Sequence, residues 1–450
     1  MAKIALIGAG GVIFAQNFIK DILISKDLRD SEIALMDIDA ERLNNAVVFT
    51  RKIGEKLGVP TKISATTDLR QAVRNADYVI TLFRSGTLEH QRIEQDIPRK
   101  YGVDQVVGDT MGPGGVFRGL RTLKHLFAVL DAMEQECPGA YLLNYVNPMS
   151  LNTIALCRRA KTVKVIGLCH SIPHTASELA KYIGVDKSEV RYLVAGVNHQ
   201  AFFLKFEVNG QDAYPKLREA MDNPEVYNRD KVRFEWFRHF GYFPTESSGH
   251  GSEYVPYIRK RKDLIDKFCR VDYPNTSDGI EWGAMSSGRS GASLEICAGL
   301  QVRNEKEIAA LLNGTKEFDL NPSGEYAIQI INAVETNVPL SANLNVMNHG
   351  LIATLPPECC VEVPCLVDGA GIVPCRIENY PEQLAGLNRG MINMQMMAAE
   401  GALECSRRKI FHAIALDPLT AAVCSLDEIQ AMTDEMFIAL SDQLESKFFN

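Results

Sequence analysis

The sequence predicts an α/β protein: a parallel-sheet domain covered by helices over residues 1–197, then a mixed α+β domain over 198–450. Three observations carry that expectation. Apolar, β-rich runs alternate with amphipathic stretches through the first 200 residues, the pattern of strands buried on both faces. A glycine turn, Gly8-Ala9-Gly10-Gly11, joins the first strand to the first helix. The later half instead shows strand pairs joined by turn residues, and long helices.

Taken in order, Lys3 to Ile7 is an apolar strand and 14–25 an amphipathic helix. Residues 33–36 form a second strand, ending at Asp37, and 42–57 are helical. The segments 78–83, 140–145 and 163–168 repeat the buried-strand character. Ligands in such sheets sit at the carboxyl ends of the strands, where the motifs discussed below fall. Further on, 202–208 runs into Asn209-Gly210, a hairpin signal. Residues 361–367 and 372–377 flank Asp368-Gly369-Ala370-Gly371 as a second hairpin. Residues 384–404 and 425–444 read as helices, and 241–251, rich in Gly, Ser, Pro and aromatics, as an ordered site loop. There is no internal repeat and no low-complexity tract.

The 450 residues are 46% hydrophobic, enough for a large core and two lobes. A net charge of -8 offers no basic excess for phosphates, which argues against nucleic acid as main partner. No apolar run reaches the roughly 18 residues that a membrane span needs. The chain enters a strand at Lys3, so no signal peptide is expected. Eleven scattered cysteines suit free thiols in a reducing cytoplasm, so a cytoplasmic location is expected.

The glycine turn suits a dinucleotide. Gly8 permits the tight turn, Gly10 lets a pyrophosphate approach the backbone, and past Gly11 the helix offers its N-terminal N–H groups. Ile13 stands where the usual fingerprint has its third glycine. Asp37, ending the second strand, can accept bonds from an adenosine ribose and would repel a 2′-phosphate, which favours NAD over NADP. The competing reading is a plain turn with Asp37 or Asp39 capping the next helix.

A second constellation follows thirty residues apart. Cys169, in Gly167-Leu168-Cys169-His170-Ser171, and His199, in Gly196-Val197-Asn198-His199, each end an apolar run. A thiolate and a neutral imidazole suit Mn2+, Fe2+, Co2+, Ni2+ or Zn2+ and leave positions open for substrate oxygens. Either residue alone is more often a core residue. Asn147-Pro148 adds an amide for a hydroxyl, or a simple turn. A second glycine-rich loop spans 108–115, followed by Arg118 and Arg121; its Asp109 could receive sugar hydroxyls. Tyr254 reads from its neighbours as a packing residue.

Taken together these segments resemble glycoside hydrolase family 4, the NAD- and divalent-metal-dependent glycosidases, nearly end to end. The matching pieces are Ile7-Gly8-Ala9-Gly10, Met36-Asp37-Ile38-Asp39, Asp109-Thr110-Met111-Gly112-Pro113-Gly114-Gly115 and Asn144-Tyr145-Val146-Asn147-Pro148-Met149. They continue with Cys169-His170-Ser171, Gly196-Val197-Asn198-His199, Thr245-Glu246-Ser247-Ser248 and Glu253-Tyr254. Cys-His-Ser and Glu-Ser-Ser look most like the α-galactosidase (melibiase) branch. The resemblance implies a Rossmann-like domain with a lactate/malate dehydrogenase-like architecture, whose second domain carries substrate and oligomer contacts. It also implies NAD+ and Mn2+, or another divalent ion, as cofactors and a homodimer or homotetramer.

It further implies a redox route, an exception to the two-carboxylate scheme of most glycosidases. The sugar's C3 hydroxyl is oxidised by NAD+, the metal on Cys169 and His199 stabilises an enediolate, and Tyr254 takes the C2 proton. The C1 substituent then leaves with help from His170, water adds, and hydride returns.

Two departures bear on substrate. Gly249 precedes His250 where melibiase-like members usually have glutamate, and Arg84 stands in a segment expected to be uncharged. Arg84 can clamp a carboxylate, which would suit an α-galacturonide or α-glucuronide, or else form a salt bridge. A 6-phospho-glycoside is a third option. Outside the family, a lactate/malate-type dehydrogenase or a silent nucleotide-binding regulator are the alternatives; the Cys169/His199 pair and Asn147 argue against the former.

Overall fold

The computed structural model describes residues 1–269, 276–277 and 280–449. Six parallel strands come first: β1 (Lys3–Ile7), β2 (Glu32–Met36), β3 (Lys62–Thr66), β4 (Tyr78–Thr81), β5 (Tyr141–Asn144) and β6 (Lys164–Gly167). Then come β7 (Val190–Val197), β8 (Gln200–Val208), β9 (Gln211–Asp212), β10 (Thr276–Ser277) and β11 (Ile280–Glu281). The last are β12 (Leu340–Met347), β13 (Cys360–Asp368) and β14 (Gly371–Pro374).

The first six strands stand in the order β3-β2-β1-β4-β5-β6, the doubly wound arrangement expected of a Rossmann-like domain. β12 joins β6 antiparallel, and the sheet continues through β13, β7, β8 and β9. The expected division after residue 197 therefore falls at the turn of the β7–β8 hairpin. One sheet runs through both halves of the chain, and the later half adds helices and antiparallel strands to it. Both expected hairpins form, as β8–β9 and β13–β14.

A single register row crosses nine strands: Thr66, Met36, Ile7, Thr81, Asn144, Gly167, Asn345, Glu362 and Gly196 are successive Cα partners. It marks the carboxyl rim of the parallel strands. Gly8, Asp37, Arg84, Asn147, Cys169 and His199 all follow their strand's row residue within three positions. The strands below it are buried on both faces, with Ile4, Leu6, Ile33, Leu35, Val79, Ile80, Leu142 and Leu143 at 1% exposure or less. That is why they read as continuous apolar runs.

Local chemistry sets the ends of several elements. The first helix, Val12–Ile24, follows Gly11 with no side-chain cap. Asp39 caps the helix Ala40–Leu57 through Glu41 and Arg42 N–H, and Gly58, at φ +66°, closes it. The last expected helix stops at Ala439, and two 3-10 turns, Ser441–Gln443 and Ser446–Phe449, finish it. The supposed site loop 241–251 ends in a short helix, Ser248–Glu253, started by Ser247. Among the described residues no helix is long and apolar enough to cross a membrane.

Candidate active site

At the β1 turn the N–H groups of Gly8 and Ala9 both donate to Met36 O, at 2.9 and 3.0 Å, locking β1 to β2. Gly8 sits at φ +94°, and a Cβ there would meet Phe83 at 2.8 Å. Gly10 N–H donates to Asp37 Oδ2 at 2.8 Å, and Asp37 Oδ1 accepts from Asp39 N–H at 3.0 Å. Capping therefore falls to Asp39, and Asp37 faces the glycine turn. Gly10 is required first by Asp37 itself, since a Cβ would stand 2.6 Å from its carboxylate.

The segment 108–115 divides in two. Gly112–Glu136 is one long helix, and Gly114 and Gly115 lie in its first turn. A Cβ on Gly115 would meet the Thr110 backbone at 2.6 Å, and one on Gly114 the Glu94 carbonyl at 2.5 Å. These glycines serve close packing, which corrects the expectation of backbone lining a ligand there. Asp109 and Thr110, just ahead of the helix, are the part that faces the cluster.

That cluster assembles from distant segments. Cys169 Sγ lies 3.6 Å from His199 Nε2, and Glu246 Oε2 lies 3.6 Å from the same nitrogen. His199 Nδ1 is 3.0 Å from Tyr254 Oη and 3.3 Å from Thr110 Oγ1. The Thr110 hydroxyl donates to Asp109 Oδ1 at 2.8 Å, and Asn147 Nδ2 reaches Asp109 Oδ2 at 3.5 Å. His250 stands between two carboxylates, with Nδ1 3.3 Å from Glu246 Oε1 and Nε2 3.8 Å from Asp109 Oδ1.

Arg118 reaches Asp109 at 4.0 Å. Arg84 is exposed, donates to the neutral Gln91, and has Arg118 and Arg121 in its field. Arg121 is itself committed to a buried bidentate pair with Glu94, at 2.5 and 3.0 Å. His170 is exposed at the start of the helix Ser171–Tyr182, facing the Glu246 and Glu325 carboxylates.

Proximity shapes the proton affinities. Burial raises the Cys169 thiol, but the bond and charge of His199 outweigh it and bring the thiol below its usual range. Burial lowers His199, yet Glu246, Cys169 and Asp109 carry it up to about 10. Burial raises Asp109, and Arg118, His250 and His199 bring it down to about 2. Tyr254 is pushed well above the usual phenol range by burial and by the Asp109, Glu253 and Glu246 carboxylates.

Sequence reasoning missed four groups: Glu246, His250, Glu253 and Glu362. Glu253 accepts three backbone N–H bonds, from Val106 (2.7 Å), Val107 (3.1 Å) and Gly108 (3.1 Å), and so fixes the Asp109 loop beside Tyr254. Glu362 is wholly buried in the register row, takes bonds from Asn198 and Asn345, and is pushed by burial up to about 8. The signal for Glu253 lay in its adjacency to Tyr254. For Glu362 none existed, since its meaning comes from pairing with Gly196 across the sheet.

The model of the family 4 glycosyl hydrolases matches residues 3–185, and that of the family 4 C-terminal domain matches 194–420. The chain is 37% identical over 446 residues to the α-galactosidase of Bacillus subtilis (strain 168), covering 99% of each. It is 35% identical to the α-galactosidase of Rhizobium meliloti (strain 1021), over 97% of this chain and 88% of that protein. Among solved structures, a 6-phospho-α-glucosidase from gut microorganisms in complex with NAD and Mn2+ superposes with a TM-score of 0.79 at 19% identity. That superposition covers 98% of this chain and 99% of that one.

Proposed function

Because the chain belongs to family 4 of the glycosyl hydrolases, we propose that it is an NAD- and Mn2+-dependent α-galactosidase acting at the carboxyl rim of its sheet. The observation that carries the reading is the placement of Cys169 and His199, 3.6 Å apart, on the same rim as the Gly8–Asp37 turn. A dehydrogenase of the lactate/malate type has no use for that pair.

Asp37 and the helix N-terminus after Gly11 would hold the dinucleotide. Cys169 and His199 hold the divalent ion, as a thiolate and a neutral imidazole. When bound, NAD+ supplies a reversible hydride acceptor for the sugar's C3 hydroxyl, and the cation supplies positive charge that acidifies the neighbouring C2–H and lowers the proton affinity of nearby phenol.

Asp109 and Asn147 orient the sugar hydroxyls. With His199 Nε2 turned toward the thiol, Nδ1 carries the hydrogen and donates it to Tyr254 Oη. That bond points the phenol oxygen at the site and opposes, in part, the burial and the carboxylates that hold its proton on, so the oxygen is placed to take the C2 proton. His170, open to solvent at the helix start, gives a proton to the departing C1 oxygen.

The test is hydrolysis of a nitrophenyl α-galactoside with NAD+, Mn2+ and a thiol reductant, each omitted in turn. Cleavage that needs all three and accumulates no NADH is expected. Cleavage indifferent to NAD+, or steady NADH release from a hydroxy acid, would overturn the reading.

A second reading rests on Arg84, which has no carboxylate ion pair among the described residues and lies in the field of Arg118, itself 4.0 Å from Asp109. It favours a sugar bearing a carboxylate, an α-galacturonide or α-glucuronide, run as parallel substrates in the same assay. We also assign the protein to a reducing cytoplasm, which its eleven free thiols suit. Exposed Leu416, Leu426 and Ile438 on the C-terminal helices supply apolar surface for a homodimer or homotetramer.

A further inference from the structure

We propose that Glu246 is a third protein ligand to the divalent ion, so that the site is a Cys169–His199–Glu246 set rather than a two-residue one. The inference rests on the metal-dependent reading above and extends it to a residue which that reading does not use.

The donor atoms are already at ligand spacing. One ligand atom from each of the three residues lies within 4.8 Å of the other two. The Sγ–Nε2 and Nε2–Oε2 separations are both 3.6 Å. Atoms bound to one first-row ion at about 2.0–2.3 Å stand roughly 3.0–3.6 Å from each other. Two of the three separations already fall at the edge of that range, and the third, between the thiol and the carboxylate, is no more than 4.8 Å.

The backbone holds that spacing from both sides. His199 occupies the two-residue connection between β7 and β8 at φ +65°, and Glu246 adopts φ +67°. Both are left-handed conformations that non-glycine residues rarely take, and such strain concentrates at functional sites. Thr245 N–H donates to Ala201 O at 2.8 Å, tying Glu246 to the strand that leaves His199. The Glu246 carbonyl accepts from Arg233, a 2%-exposed guanidinium anchored on Asp230 (2.5 Å) and Glu178 (2.7 Å). Strained backbone at two of three donors, pinned by a buried arginine that leaves the carboxylate itself free, is costly scaffolding for an ordinary loop.

Charge makes the same point. Among the described residues the Glu246 carboxylate forms ion pairs within 4 Å only with histidines, His199 and His250, while Arg233 bonds its backbone carbonyl and lends the carboxylate only its more distant charge. A thiolate, a carboxylate and a neutral imidazole sum to two negative charges, which balances a divalent cation. His199 is preset for it, since Tyr254 and Thr110 at its far nitrogen direct Nε2 inward.

The experiment measures binding of Mn2+ and Co2+ alone, by equilibrium dialysis and by the visible Co2+ spectrum, without substrate. Wild type is compared with Glu246→Gln, Glu246→Asp and Cys169→Ser, after thermal unfolding of the metal-free proteins has confirmed folding. The Gln variant keeps the side-chain shape; if it alone misfolds, the Asp variant carries the comparison.

We expect Glu246→Gln to weaken Mn2+ binding more than tenfold, to shift the Co2+ d–d bands at saturation, and Glu246→Asp to recover part of the loss. A loss below fivefold, or a saturated Co2+ spectrum that superposes on wild type, overturns the third ligand. Binding that survives Cys169→Ser unchanged, or no binding by wild type, would overturn the underlying metal reading as well.

Discussion

At the glycine turn, the contacts are local and made mostly by backbone. N–H groups of Gly8, Ala9 and Gly10 are set by two adjacent strands, and one side chain, Asp37, completes the site. These contacts all lie within the first 40 residues. The Cys169 cluster is the reverse. Asp109, Asn147, Cys169, His199, Glu246 and Tyr254 come from six separate segments, and side chains make nearly every contact. A backbone site tolerates change in most side chains around it. A side-chain cluster in low dielectric does not, since removing one member strands the others.

That contrast sets the order of expected effects. Cys169→Ser removes a proposed metal ligand and should lower Mn2+-dependent turnover by more than about 100-fold while leaving NAD+ affinity unchanged. Equal losses in both would mean that the two regions are coupled. Tyr254→Phe should lower kcat about 100-fold. A C2-deuterated substrate should then show a larger isotope effect, and an unchanged rate and isotope effect would remove Tyr254 from the proton transfer.

Glu253→Gln keeps at most one acceptor for three N–H groups and should cost about 1–3 kcal/mol of stability. Because it frees the Asp109 loop, KM should rise along with the fall in unfolding midpoint; a change in midpoint alone would make Glu253 purely structural.

Asp37→Asn should weaken NAD+ about tenfold, a loss of one charge-assisted bond, with Mn2+ affinity unchanged. Smallest is a control far from both sites. Glu134 is drawn down to about 2: burial raises it, but bonds from Lys161, Thr162 and Val163 prevail. A depressed carboxyl contributes stability above its unfolded value of roughly 4.3 and loses it as pH falls toward the folded value. Glu134→Gln should therefore lower the unfolding midpoint modestly at pH 7, and the gap from wild type should close between about pH 4.5 and pH 2. A gap that persists at pH 2 would assign the effect to packing.

Much of this was legible in advance. The strands β1, β2 and β4 to β6 announce themselves because burial on both faces leaves unbroken apolar runs. Asp39 and Gly58 mark their helix ends by local chemistry. Cys169 and His199 stood out by ending such runs. Other residues misled for equally physical reasons. Glycines 114 and 115 looked like a ligand loop, yet they are small because Thr110 and Glu94 press on them. Glu246 entered only as part of the segment Thr245-Glu246-Ser247-Ser248 with no role of its own, and its neighbours in sequence say nothing of His199.

By itself the sequence determined the parallel sheet and its glycine turn with Asp37, and it singled out Cys169 and His199 as the pair proposed to hold a metal. Periodicity, turn chemistry and capping act over a few residues, so they are written locally. Tertiary structure alone decided that the sheet continues through β12 and β13 into β7 and β8. It thereby decided that Glu362 is buried beneath the cluster, that Glu253 grips the Asp109 loop, and that Glu246 stands 3.6 Å from His199. These depend on register between strands more than a hundred residues apart and on one arginine, Arg233, closing a loop. Such contacts form only when the whole core has chosen one packing, and no local pattern encodes that choice.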